Sequence, residues 1–158
     1  MKLTSFLGII MGLFVLGCIL FPFTACGCKV ASKKTACLSN LKQQAQAVLL
    51  YSAEENDRFP NRDVWMDSIA PYVKNQAIHK EPTMPAQVYG YAFNSNLSDA
   101  KGPRHPEKVP LVYDSVNPIR NASDAAVSLP SPGRHAGKDN IAYADGHVKA
   151  VNLGESPK

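Results

Sequence analysis

Charge is missing from the start of this chain: no charged residue lies between Lys2 and Lys29, and no acidic residue precedes Glu54. The run from Leu3 to Phe23 is also apolar, and as a helix it would span a bilayer core of about 30 Å. So long an uncharged run excludes burial inside a small domain, and residues 1–28 are expected to be a hydrophobic membrane anchor. Neither Gly nor Pro occurs between Cys28 and Asp57, so nothing in that interval is a helix breaker. Cysteine is absent after Cys37, which excludes a disulfide framework for the C-terminal two thirds of the chain. Cys26-Gly-Cys28 lacks the spacing and the second ligand pair of a zinc site. Phosphate loops, Gly-rich cofactor fingerprints and nucleophile elbows are absent as well, so neither catalysis nor a cofactor is expected.

What is present sorts into three stretches. From Lys29 to Arg58 the composition is polar, but Leu38, Leu41, Ala45, Val48 and Leu49 recur at spacings of three and four. That pattern predicts an amphipathic continuation of the anchor helix over 29–58, with one buried face. Residues 1–53 carry five lysines and no acid, so the net charge of +4 leaves the remainder of the chain at −1. A nearly neutral remainder argues against nucleic acid as a partner. Residues 59–158 are predicted to form one globular domain.

Within that domain, Asp63–Val73 reads as a short helix capped by Asp63, with Trp65 as a packing anchor. Gln87–Phe93 and Val109–Asp114 read as strands, and Pro110 points to an edge or a bulge. Ser98–Lys108 and Ser115–Gly133 read as loops. Asp145-Gly146 between two apolar-rich runs predicts a hairpin with a two-residue turn at positive φ. Tyr143 would then face Val148, and Ile141 would face Ala150. One hairpin face, carrying Ile141, Tyr143 and Val148, is expected to lie on the helix through Leu38, Leu41, Ala45 and Val48. The fold class is therefore α+β: a long N-terminal membrane-anchoring helix packed on a small antiparallel β-sheet.

The polar candidates are His135, Asp139, Asp145 and His147, with Asp114 at a strand end. A His and carboxylate set can hold a divalent metal, but Asp145 at a hairpin tip is a strand's length from Asp139. The preferred expectation is structural: Asp145 and Gly146 shape the turn, His135 holds the incoming loop, and no metal is bound. Cys18, after Val15-Leu16-Gly17, and Cys26, after Phe23-Thr24-Ala25, each fit a lipoprotein acylation site.

An apolar segment leading into an amphipathic helix, then Ala36-Cys37-Leu38-Ser39-Asn40-Leu41-Lys42-Gln43 and Asn56-Asp57-Arg58-Phe59-Pro60, resembles the type IV pilins and type II secretion pseudopilins. Arg134-His135, nine residues and then Asp145-Gly146-His147-Val148 resembles the signature of the bacterial prepilin-type processing-associated H-X9-DG family. The resemblance spans most of the chain. It implies a pilin-like domain, a single-pass protein of the bacterial inner membrane whose domain faces the periplasm or cell exterior, and partners that are pilin-like subunits or secretion and pilus assembly proteins. Charge alone would place the domain on the other side, since Lys29, Lys33 and Lys34 outnumber Lys2. Two departures stand out. The prepilin leader Gly-Phe-Thr-Leu-Ile-Glu is missing ahead of the apolar run, and Glu81-Pro82 stands where such proteins often carry Cys-Pro. The alternative function is a static membrane- or lipid-anchored binding module that forms no filament.

Overall fold

A computed structural model describes residues 25–84 and 88–152, with side chains from Lys33 onward. The predicted anchor, Cys18 included, lies outside the described residues apart from its last turn, as does the side chain of Cys26. Among the described residues no helix is long and apolar enough to cross a membrane. Lys34–Lys158 form one compact unit, and the architecture below is that unit's.

Helix α1, Ala25–Glu54, enters the unit at Lys34. Its buried positions there are Cys37, Leu41, Gln44, Ala45, Ala47, Val48 and Ser52, the three- and four-residue spacing of one helical face. Leu38 falls beside this stripe and is only half-buried, so it is not the core residue its periodicity suggested. Asn56 and Asp57 take positive φ just past the helix, a conformation these two residue types tolerate.

The short helix predicted over 63–73 is two pieces. Helix α2 covers Trp65–Ser68 and a 3₁₀ turn covers Ala70–Tyr72, with Pro71 at the start of the second piece. Val64, not Asp63, occupies the cap position of α2. Trp65 is fully buried, stacks on Phe93 and donates from Nε1 to the Ala122 carbonyl at 3.0 Å, which makes it the packing anchor expected.

Five strands form one sheet: β1 Tyr91–Asn94, β2 Pro110–Asp114, β3 Ser123–Asp124, β4 Lys138–Tyr143 and β5 Val148–Asn152. Their order is β3-β1-β2-β4-β5. All pairings are antiparallel except β1 with β3, so the sheet is mixed. The parallel partner β3 lies inside the stretch that reads as a 115–133 loop, and a two-residue strand leaves no periodicity to detect. Pro110 sits in a central strand, at a register irregularity between Pro110 and Val112. That bulge is why Leu111 and Val112, adjacent in sequence, both join the helix-side core.

Alternation along the strands divides the core. Leu41, Ala45 and Val48 of α1 pack with Tyr91, Phe93, Leu111, Val112, Ala142 and Ala144, while Val148 is partly buried against them. Ala92, Tyr113, Ile141, Tyr143 and Val151 build a second cluster from the alternate strand positions. Ile141 and Tyr143 therefore belong to the face away from the helix, contrary to the sequence expectation.

The cause is register. The hairpin pairs Ala142 with Val148 and Ile141 with Lys149, one residue off the predicted pairing. Tyr143 N donates to His147 O at 2.9 Å and Gly146 N to Tyr143 O at 2.8 Å, which closes a three-residue loop, Ala144–Gly146. Gly146 alone in the turn has positive φ, at 85°. A type I turn followed by a left-handed glycine meets the same Asp-Gly sequence as the tighter turn does, and adds the one residue that exchanges the faces.

Candidate functional site

Beneath α1 four chain segments bring polar side chains into the core. Cys37 projects from α1 one turn before Leu41. Glu81 follows the 3₁₀ turn Gln76–His79, and a bridge between Lys80 and Tyr89 holds that segment beside the start of β1. Asp114 ends β2. His135 comes from a tight reversal in which Gly133 pairs with Gly137, Gly137 N donates to Gly133 O at 3.0 Å, and His135 N donates to Lys138 O at 2.8 Å. Ala136 and Gly137 supply the positive φ values, 58° and 81°, that this reversal needs.

The Cys37 thiol donates to Glu81 Oε1 at 2.5 Å. The other carboxylate oxygen, Glu81 Oε2, accepts from the Thr83 amide at 2.9 Å and from the Thr83 hydroxyl. His135 Nε2 lies 4.0 Å from Glu81 Oε1 and 3.2 Å from Asp114 Oδ2. The second separation is an ion-pair distance, but the ring N–H is not aimed closely enough for a regular hydrogen bond. Asp114 Oδ2 accepts from the Asn140 amide at 2.7 Å, while Asp114 Oδ1 has no hydrogen-bond partner. The side chains of His135, Glu81 and Asp114 are at most 2% exposed.

Arg134 closes the cluster from one side. Its guanidinium donates to the carbonyls of Gly90 and Ser115, at 3.2 and 2.7 Å, and its amide donates to Asp139 Oδ1 at 3.0 Å. Gly90 packs so closely on Glu81 that a Cβ there would collide with the Glu81 side chain. Burial, reinforced by Glu81, pushes the Cys37 thiol far above its ordinary range, so it stays protonated in this setting. The Asp114 carboxylate raises His135 against the opposing effect of burial. Burial raises Asp139.

The predicted site residues thus separate into two places. His135 and Asp114 come together, with Asp139 reached through the Arg134 amide. Asp145 and His147 pair with each other at the hairpin tip, His147 Nδ1 lying 2.6 Å from Asp145 Oδ1 with the imidazole stacked on Tyr143. Burial opposes ionisation of Asp145, but hydrogen bonds from the His147 amide and ring outweigh it and hold the carboxyl below its usual range. Gly146 docks the turn on the helix, its carbonyl accepting from Lys42 Nζ at 2.6 Å. His135 N closes the loop on Lys138 O, Arg134 ties it to Gly90 and Ser115, and the His135 imidazole faces acids.

Sequence reading missed Cys37 and Glu81 as site residues. Cys37 carried one usable signal, since it precedes Leu41 by four residues on the buried face. Glu81, between Lys80 and Pro82, has no periodicity or ligand spacing to mark it and stood out only as a departure from Cys-Pro. A surface groove of about 470 Å³, lined by Leu49, Asp57, Phe59, Lys101 and Pro103 among others, takes none of these residues. No protein-family model, curated protein or solved structure matches this chain.

Proposed function

We propose that this chain is a pilin- or pseudopilin-like envelope protein, held in the bacterial inner membrane by its N-terminal segment and acting by assembly or surface interaction in a type II secretion or type IV pilus setting. The feature that carries this reading is that the uncharged run Leu3–Phe23 precedes α1 in the sequence, and the later turns of α1 close over one face of a mostly antiparallel sheet. A long uncharged apolar segment ahead of an amphipathic helix needs lipid or other subunits to cover it.

Fractionation of cells expressing the full chain, followed by protease treatment of spheroplasts, tests the placement. Recovery in the membrane fraction with the domain digested from outside is the expected result. A chain found in the soluble fraction, or protected in intact spheroplasts, would sink the reading. The lipoprotein-like motifs ending at Cys18 and Cys26 favour a lipid-anchored binding module as the second reading. The amino-terminal mass of the purified protein separates the two, since acylation at either cysteine, cleavage after Gly8 and an intact Met1 give different masses.

A further inference from the structure

We propose that Cys37, Glu81 and His135, completed by Asp114, form a closed structural site for a divalent transition metal of the zinc class. Cys37 Sγ, a Glu81 carboxylate oxygen and a His135 ring nitrogen all lie within 4.8 Å of one another, and all three residues are buried. Tetrahedral zinc with bonds of about 2.0–2.3 Å sets its ligand atoms roughly 3.3–3.6 Å apart. The two pairs around Glu81 Oε1 bracket that spacing, with 2.5 Å from thiol to carboxylate and 4.0 Å from carboxylate to imidazole. The 3.2 Å between His135 Nε2 and Asp114 Oδ2 falls close to one tetrahedral edge.

Two further observations point to a ligand. Oδ1 of Asp114 is buried without a hydrogen-bond partner, and Nε2 of His135 meets Asp114 Oδ2 at 3.2 Å without regular hydrogen-bond geometry, on side chains 0% and 2% exposed. Leaving a buried carboxylate oxygen unsatisfied is costly, and a metal ion would engage the imidazole nitrogen and the carboxylate directly. The donor types also agree: one thiolate, one imidazole and carboxylate oxygens select zinc or a related ion over calcium or magnesium, which prefer oxygen alone. Complete burial suits a structural site, since a catalytic one keeps an open position.

A divalent ion M²⁺ displaces the Cys37 thiol proton and, from an imidazolium, the His135 Nε2 proton. The metal–sulfur and metal–nitrogen bonds form as the two protons leave to solvent, and the charge of the cluster is unchanged. No oxidant or reductant takes part.

The full chain, purified in detergent, stripped with chelator and passed through a desalting column, is titrated with Zn²⁺ alone and separately with Co²⁺ alone. One tightly held metal per chain is expected, together with a thiolate-to-cobalt charge-transfer band and a thermal midpoint that rises with zinc concentration. Cys37→Ser, which keeps a donor for Glu81, should remove the band and at least nine tenths of the bound metal. Combined Cys26→Ser and Cys28→Ser should change neither. A wild-type chain that takes up no metal overturns the proposal, as does uptake that survives Cys37→Ser or disappears with the Cys26 and Cys28 replacements. If Cys37→Ser fails to fold, the cobalt band in the Cys26→Ser/Cys28→Ser protein decides alone, and its absence there sinks the site.

Discussion

The Cys37 thiol donates to Glu81 Oε1 at 2.5 Å, a bond between the helix and a loop 44 residues later in the chain. It puts a carboxylate in the core and gives that carboxylate a specific donor on α1. Removing the donor strands the acceptor. In chelator, Cys37→Ala should lower stability by about 1–3 kcal/mol, and Cys37→Ser by less because its hydroxyl restores a donor. Urea denaturation checks this, and equal losses in the two variants would show that volume rather than the hydrogen bond matters.

Leu41 is fully buried between α1 and the sheet. Leu41→Asp would place an unpaired carboxylate there, at a cost of several kcal/mol that is comparable to the stability of a whole domain. Loss of the cooperative thermal transition is expected. A midpoint within a few degrees of wild type would mean that the helix does not contact the sheet.

Gly146 has φ of 85°, and a Cβ there would stand 2.9 Å from Leu49 Cδ1. Gly146→Val should therefore cost about 2 kcal/mol or more from strain and collision together. Asp145→Asn should cost well under half of that, because Asn still accepts from the His147 amide. Chemical denaturation of the pair gives the comparison, and a larger loss for Asp145→Asn would contradict the turn described.

His79 is buried beside Trp65, and burial, with Arg120 adding to it, lowers its pKa from 6.5 to about 4, with Asp67 opposing and Lys80 assisting. The unfolded chain takes up this proton below its ordinary value, whereas the folded chain resists until about pH 4. This group's contribution is thus fully present above pH 6.5 and is lost as pH falls towards 4. The loss is of the order of 3 kcal/mol. Measured by urea denaturation at both ends of that window, His79→Gln should lose less stability than wild type on acidification. Parallel losses in the two proteins would mean that His79 titrates normally.

The local pattern of the chain was enough to place the helix, to make Trp65 a core residue and to locate strands at Val109–Asp114 and around Asp145-Gly146. Helical periodicity and turn chemistry act over a few residues, so they are legible without the rest of the fold. Glycine at a hairpin tip was legible too, but a two-residue and a three-residue loop both satisfy Asp-Gly. Which one forms was settled by packing, with Ala142, Ala144 and Val148 turned to α1 and Ile141 and Tyr143 to the other side. Ser123–Asp124 pairs with β1 because the chain returns there, a fact no short window contains. Only tertiary structure brought Cys37, Glu81, Asp114 and His135 together. Their segments are remote in sequence, and a buried ionisable group is defined by neighbours that the chain supplies from elsewhere.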